Sequence, residues 1–240
     1  MFADLYNRRG ITLPATIVEE LEVHLQKQKD YKFFLRLMQR DEIVESLDDM
    51  AGIEVYHNMI PLWTDDHSNY IGLHVEGACQ YRISYISHEE TDIAPAYRSA
   101  GSFIRELERN PHQDWDELKK DYPSDIELSR DQMNEDLSCI HELNDVIESD
   151  PRLNEDVRCQ YIYCIMALTP QSHLDSLMKY IDDEDMYVQE RACQIMGFHR
   201  YTPAREKLVE VSKKGMHNGK LAAKRALAKM REQRKENKIK

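Results

Sequence analysis

The stretch IPLWTDDHSNYIGLHV, residues 60–75, decides the fold class of this chain. An apolar run from Ile60 to Trp63 stops at the polar segment TDDHSN, and an apolar pattern resumes at Tyr70. Short apolar runs with β-branched and aromatic residues, separated by turn-forming residues, are typical of consecutive β-strands. Asp, Ser and Asn favour turns because their side chains hydrogen-bond to nearby backbone groups. We therefore predict two strands joined by an acidic turn.

The residues that follow extend the strand pattern. Residues 81–86 form a third apolar run, and the connection at 76–78 predicts an antiparallel hairpin between this run and the strand at 70–75. In that strand, apolar positions alternate with Gly72 and His74. Such alternation is typical of a strand with one buried face and one exposed face.

Helical periodicity flanks the strands on both sides. Apolar spacing predicts a helix over residues 12–50, capped by Thr12, and an extended run from Ile53. After Ser99, the apolar residues within 103–107 fall on one face of a further helix. The first half is therefore predicted as an α+β domain, with an antiparallel or mixed sheet flanked by helices.

The second half of the chain carries only helical patterns, and it repeats itself. The polar segment 110–128 separates the halves, so we predict domains at 1–112 and 113–240. Five residues recur 34 positions later: Leu174, Leu177, Arg191, Ala192 and Met196 return as Leu208, Val211, Arg225, Ala226 and Met230. A period of this length with two helices per unit indicates an all-α solenoid, in which each hairpin buries its apolar face against the next.

Charge is unevenly distributed along the chain. The net charge is −12, but residues 205–240 hold 13 Lys and Arg against 4 Asp and Glu, which leaves −21 for residues 1–204. An acidic body repels nucleic acid and attracts basic proteins. Three roles are open for the basic tail, Lys220–Lys240: a capping helix with a solvated face, binding to nucleic acid or another anionic surface, and a contact with an acidic face of this chain or of a neighbour.

The cysteines and the hydropathy favour a cytoplasmic protein. Five cysteines without a CxxC pair indicate a reducing compartment, and we expect Cys159, Cys164 and Cys193 to be buried. No run of 18 apolar residues occurs, and the N-terminal MFADLYNRRG lacks the apolar segment of a signal peptide. We expect no contact with a membrane.

Two acidic segments are candidate functional sites. The first lies in the turn and the second follows the strand at 81–86, and the candidate residues are Asp65, Asp66, His67, Asn69, His88, Glu89 and Glu90. Carboxylates and imidazoles can bind divalent metals or move protons, and a histidine with acids from separate strands is the better arrangement. Consecutive donors seldom converge on one ion, however, and turns use the same residue types. Plain turns, a partner-binding surface and a metal site therefore remain open.

Motifs for catalysis are missing from the sequence. It contains no HExxH, no GxSxG, no Cys-His metal spacing and no Gly-rich phosphate loop. We therefore predict no catalytic residues, no metal and no cofactor. The candidate residues are assigned to partner binding.

The ordered elements resemble the SUKH superfamily over roughly residues 10–110. The resemblance rests on IPLWTDDHSNYIGLHV, the strand YRISYISHEE and the helix SAGSFIREL. Members often have a Gly-Asp pair before the second strand, where this chain has Ser68-Asn69. The second half resembles HEAT repeats, with an Asp182-Asp183 turn before Arg191-Ala192.

These resemblances imply binding rather than catalysis. Bacterial SUKH domains are known as immunity proteins that neutralise toxins, often nucleases, and HEAT arrays are interaction scaffolds. We therefore predict a non-enzymatic immunity protein whose acidic surface binds a basic toxin domain. One alternative is a regulatory scaffold that binds nucleic acid or cell-envelope machinery through the basic C-terminal helix. Another is a metal-dependent enzyme built on the two acidic segments.

Overall fold

The computed structural model describes residues 12–239, with side chains described up to Glu232. The stretch MFADLYNRRG and the tail side chains beyond Glu232, both interpreted above from sequence, lie outside the described part. The chain is α+β and divides between Tyr122 and Pro123 into two compact units. None of the helices described is long and apolar enough to cross a membrane.

The first unit combines helices with one antiparallel sheet. Its elements in chain order are α1 (Ala15–Asp30), β1 (Arg36–Leu37), α2 (Arg40–Met50), a 3₁₀ turn (Glu54–Tyr56), β2 (Met59–Thr64), β3 (Tyr70–His74), β4 (Ile83–Ile86), β5 (Pro95–Tyr97), α3 (Ala100–Arg109) and a second 3₁₀ turn (Trp115–Glu117). The five strands pair in the order β1-β2-β3-β4-β5, each antiparallel to its neighbour. The predicted strands, the acidic turn and the following hairpin are therefore confirmed.

The register of the sheet brings three segments to one end of it. Arg36 pairs with Thr64, Thr64 with Tyr70, and Tyr70 with Ile86. Because neighbouring strands are antiparallel, the chain enters β1, turns from β2 to β3 and leaves β4 at this same end. We call the segments 31–36, 65–69 and 87–90 together the loop end.

Both faces of the sheet are buried. On one face, Trp63 meets Phe103 of α3 edge-on, with ring centroids 4.8 Å apart. On the other face, His74 and Ser84 are also buried, and Ser84 Oγ donates to the Ile93 carbonyl at 2.8 Å. The alternation around His74 therefore does not mark an exposed face, because the segment between β4 and β5 covers it.

The predicted continuous helix over 12–50 is wrong. α1 starts after Pro14 rather than at a Thr12 cap, and it ends at Asp30. The apolar residues that follow α1 reach the core from an extended chain that includes β1. The Gln28 side chain holds this chain at Leu37: the Leu37 amide donates to Gln28 Oε1 at 2.7 Å, and Gln28 Nε2 donates to the Leu37 carbonyl at 2.9 Å. The extended run predicted from Ile53 is also wrong, since Glu54–Tyr56 forms a 3₁₀ turn.

The segment 113–122 packs on the first unit, so the units divide ten residues beyond the predicted boundary. Trp115 stacks on Tyr85 of β4, with ring centroids 4.9 Å apart and ring planes 15° apart. The Ala96 carbonyl of β5 accepts hydrogen bonds from the amides of Asp121 and Tyr122, at 2.9 and 3.1 Å. The segment is mostly polar, but its one large ring, Trp115, anchors it on the first unit.

The part of the second unit that the structure describes is entirely helical. Its elements are α4 (Arg130–Ser149), α5 (Glu155–Leu168), a long 3₁₀ helix (Gln171–Asp182), α6 (Met186–Phe198), a 3₁₀ turn (Thr202–Ala204), α7 (Arg205–Lys214) and α8 (His217–Ile239). They form three hairpins, which stack in chain order: α5 packs on α6, and α6 packs on α8. The hairpins α4–α5 and α7–α8 therefore lie at the two ends of the stack.

The sequence repeat coincides with equivalent buried positions in the second and third hairpins. Its apolar members are all buried: Leu174, Leu177, Ala192, Met196, Leu208, Val211, Ala226 and Met230. The helices approach closely at Ala226 of this repeat, because a Cβ placed on Gly197 would lie 2.7 Å from the Ala226 Cβ. The expected burial of Cys159, Cys164 and Cys193 is confirmed.

Candidate partner-binding site

Asp65 holds the β2–β3 turn together. Its Oδ1 atom accepts hydrogen bonds from the amides of His67 and Asn69, at 2.7 and 3.2 Å, and its Oδ2 atom accepts from Asn69 Nδ2 at 2.7 Å. Asp66 and Ser68 both have positive φ, at 62° and 68°. The Asp65 carboxylate stabilises this tight backbone, and is therefore occupied within the turn.

Asp66 points the other way, towards β1. It receives bonds from Arg36, with Nε–Oδ1 at 2.9 Å and Nη2–Oδ1 at 2.6 Å. The same guanidinium donates to Glu42 of α2 at 2.6 and 2.9 Å. The two carboxylates raise the pKa of Arg36, and the Arg36 guanidinium lowers the pKa of Glu42. This bridge fixes the turn to the segment 31–36 at the start of β1, and so joins two of the three segments of the loop end.

The third segment is joined to the turn by Asn69 and His88. Asn69 Oδ1 accepts from the His88 amide at 3.2 Å and lies 2.8 Å from His88 Nδ1. Ser87 Oγ accepts from the amide of Glu89 at 3.0 Å. The second acidic segment therefore lies against the turn, across the pairing of β3 with β4.

The candidate residues differ in whether their side chains are bound within the protein or exposed to solvent. Asp65, Asp66, Asn69 and His88 all contact the protein itself, as described above. His67, Glu89 and Glu90 are exposed, and the Glu89 side chain is 78% accessible. Among the described residues, no group of three or more His, Cys, Asp and Glu is arranged to hold a metal ion. The geometry joins the two acidic segments and still presents the imidazoles of His67 and His88 and the carboxylates of Glu89 and Glu90 to solvent.

A hollow of about 660 Å³ lies beside the turn. It runs from the end of α1 to Arg36 and is bounded on the other side by the residues of the turn, Asp65 to His67. Tyr31 and Phe34 line it and are 67% and 40% exposed, which is unusual for large aromatic side chains. The sequence did not predict this exposure, because Phe34 lies on the apolar face of the helix predicted over residues 12–50. The only sequence signal is a group of three aromatic residues around one lysine, YKFF at 31–34.

Carboxylates also surround Tyr85 on β4. Burial against Trp115 raises the pKa of the Tyr85 phenol to about 12, and Asp65, Asp114, Asp116 and Glu89 act in the same direction. The acidic surface therefore continues from the loop end to the segment 113–122. Asp114 and Asp116 were not among the candidate residues predicted from the sequence, because the segment 113–122 was assigned to the second domain.

Comparison of the chain with known protein families, curated proteins and solved structures found no match. The resemblances to SUKH domains and HEAT repeats therefore remain predictions from the sequence.

Proposed function

We propose that the chain is a non-enzymatic, immunity-type protein that binds a basic protein partner through the loop end. The observation that carries the proposal is the hollow beside the turn, where Tyr31 and Phe34 are exposed next to a backbone fixed by Arg36 and Asp66. Exposed aromatic side chains on a rigid frame are the usual anchors of protein interfaces. The sequence resemblance adds the class of partner, a toxin domain with nuclease activity.

The charges support a cationic partner. The first unit, residues 1–122, carries 13 Lys and Arg against 23 Asp and Glu, a net charge of −10. The carboxylates of Glu89 and Glu90 are exposed at the loop end, and Asp114 and Asp116 extend the acidic surface. Such charges mainly steer the partner and raise the association rate, whereas buried aromatic contacts mainly slow dissociation. The two groups of residues therefore have separable kinetic effects.

The contacts of the candidate side chains favour binding over chemistry. Asp65 and Asn69 are hydrogen-bonded within the turn, and Asp66 is held by Arg36. A general base must be free to take a proton from a substrate within hydrogen-bond distance. These groups instead fix the loops in one arrangement, which lowers the entropy lost when a partner binds.

The experiment is a comparative affinity capture from a lysate of the source cells. The baits are the wild-type chain, the aromatic variant Tyr31→Ala/Phe34→Ala, the charge variant Glu89→Lys/Glu90→Lys, and the control Glu45→Lys/Asp49→Lys. Glu45 and Asp49 are exposed on α2 and have the same charges as the pair at the loop end. We expect wild type and control to retain a basic protein that both loop-end variants lose.

The kinetics then test the two roles. Surface plasmon resonance with the captured protein should give a faster dissociation rate for the aromatic variant and a slower association rate for the charge variant. If the captured protein is a nuclease, an excess of wild-type chain should suppress its activity. Equal retention by all four baits, or an acidic partner, would contradict the proposal.

A further inference from the structure

The outer face of α6 presents two aromatic rings to solvent. Tyr187 and Phe198 are 56% and 40% exposed. They are separated by about three helical turns, so they lie on the same side of α6 and roughly 16 Å apart along it. The exposed Gln194 lies between them, whereas Ala192 and Met196 are buried on the opposite side. Packing within the second unit therefore covers these two rings only in part.

The outer face of α8 carries positive charge that no carboxylate neutralises. The first part of this helix, residues 217–231, contains five Lys and Arg and no Asp or Glu. Four of these cations are exposed: Lys224, Arg225, Lys229 and Arg231. Within the part of the chain whose side chains are described, none of the four contacts a carboxylate. By contrast, Arg158 and Lys207 in the same unit are both held in ion pairs.

These two faces lie next to each other. α6 and α8 are the second helices of consecutive hairpins, and they pack against each other in the stack. The 34-residue repeat places Tyr187 and Leu221 at equivalent positions, and Leu221 is also exposed, at 44%. Equivalent positions of consecutive repeats form one continuous surface. We call this surface the α6–α8 face, and its central residues are Tyr187, Gln194, Phe198, Leu221, Lys224 and Arg225.

We propose that the α6–α8 face binds single-stranded nucleic acid, independently of the loop end. Proteins bind such strands where cations that contact the phosphates adjoin aromatic rings on which the bases stack. Here α8 supplies the cations, and α6 supplies Tyr187 and Phe198, which are far enough apart to stack on different bases. A duplex could use only the cations, because its bases are already stacked on one another.

The acidity of the rest of the chain does not prevent this binding. At physiological salt a charge is screened over about 8 Å, so a bound strand senses mainly the charges nearest to it. Residues 205–240, which include α8, have a net charge of +9. One carboxylate of α6 lies beside the face, that of Glu190, and it accepts a hydrogen bond from Gln194 at 3.2 Å. Acidic polypeptides would match the cations as well, but they do not offer the regular series of planar bases that favours nucleic acid.

Fluorescence anisotropy with the full chain tests the proposal. The probes are fluorescein-labelled strands of about 20 thymidines as DNA and about 20 uridines as RNA, with a duplex of similar length for comparison. Wild type should bind at least one of the two strands at about 50 mM salt, with a dissociation constant on the order of 10 μM. The affinity should fall steeply as salt is raised, because binding releases counterions from the phosphates.

Two variants separate charge from stacking. Lys224→Gln/Arg225→Gln should weaken binding about tenfold or more at about 50 mM salt, and should lower the slope of log affinity against log salt by roughly 1.4. Tyr187→Ala/Phe198→Ala should weaken binding of single strands about fivefold or more, but should leave the salt slope and the binding of the duplex unchanged. The control Lys213→Gln/Lys214→Gln removes the same charge from exposed positions on α7 and should behave like wild type.

Melting curves followed by circular dichroism show whether each variant is folded. Tyr187→Leu/Phe198→Leu keeps apolar side chains against the helix, and it replaces the alanine variant if that variant is unfolded. The proposal is overturned if wild type binds neither strand at hundreds of micromolar, or if a folded variant without the two rings binds single strands as wild type does. A control that loses as much affinity as Lys224→Gln/Arg225→Gln also overturns it. If poly-glutamate displaces the probe as efficiently as an unlabelled strand does, the face is assigned to acidic polypeptides instead.

Discussion

His74 and His88 belong to the same β3–β4 region and help to hold the same segment, the connection from β4 to β5. His74 Nε2 lies 2.8 Å from Ser84 Oγ and 3.1 Å from the Ile93 carbonyl oxygen, and the side chain is buried. His88 Nδ1 lies 2.8 Å from Asn69 Oδ1, but the His88 side chain is 51% exposed. The bonds are of similar length in both places. Burial therefore determines whether such a contact mainly supports stability or remains available to a partner.

The largest expected effect concerns His74 and pH. Burial, with a smaller contribution from Arg82, lowers the pKa of His74 to about 4. Below about pH 6.5 the unfolded chain binds a proton at this residue, whereas the folded chain does so only near pH 4, so stability falls as pH decreases through this window. The loss is ~3 kcal/mol at its full extent. Urea unfolding of wild type and His74→Gln between pH 7 and pH 4 measures it.

The comparison between the two proteins isolates this contribution, because all other titrating groups are common to both. His74→Gln should lose less stability than wild type over the window by about the stated amount. Proton NMR of the folded wild type should show the His74 imidazole still neutral at about pH 5. Parallel stability curves for the two proteins would show that the buried histidine does not govern the acid response.

The next effect concerns Asp65 at the loop end. Asp65→Ala removes three hydrogen bonds in a half-buried turn and should lower the free energy of unfolding by ~1–2 kcal/mol. Asp65→Asn keeps an oxygen for the two amides and loses only the bond from Asn69 Nδ2, so it should cost less. Urea unfolding at pH 7 gives both values. If Asp65→Ala is as stable as wild type, the carboxylate does not hold the turn.

Much of the sheet could be predicted because its central strands are long enough to show their pattern. The runs on either side of TDDHSN define β2 and β3, and the adjacency of β3 and β4 explains why His88 approaches Asn69. β1 and β5 contain two and three residues, too few to show an alternation. They exist because neighbouring strands and the buried core select an extended chain.

The hollow beside the turn could not be predicted, because its two sides are far apart in the sequence. Arg36 and Asp66 are 30 residues apart, and their contact depends on the pairing of β1 with β2. The residues around Phe34 fit a helical period almost as well as an extended chain, and no Gly or Pro marks the break after Asp30. Tertiary packing decided between these two local structures. The exposure of Tyr31 follows from that decision.

Asn69 should give a smaller effect than Asp65. Asn69→Ala removes the bond to Asp65 and the link to His88, yet these groups are partly exposed, so water replaces much of what is lost. We expect a loss of ~1 kcal/mol in the free energy of unfolding. The specific sign is faster hydrogen exchange at the His88 amide, with the amides of the β3–β4 ladder unchanged. Unchanged exchange at His88 would mean that the two loops are held together by other contacts.

The smallest expected effect on stability lies at the exposed acids. Glu89→Lys/Glu90→Lys should change the free energy of unfolding by less than about 0.5 kcal/mol, because both side chains extend into solvent from a loop whose backbone is held by Ser87 and Asn69. Urea unfolding at pH 7 measures this value. A loss as large as that of Asp65→Ala would mean that these carboxylates stabilise the fold, and the contrast between buried and exposed polar groups would fail here. An unchanged stability together with slower partner association would instead show that their charge serves binding alone.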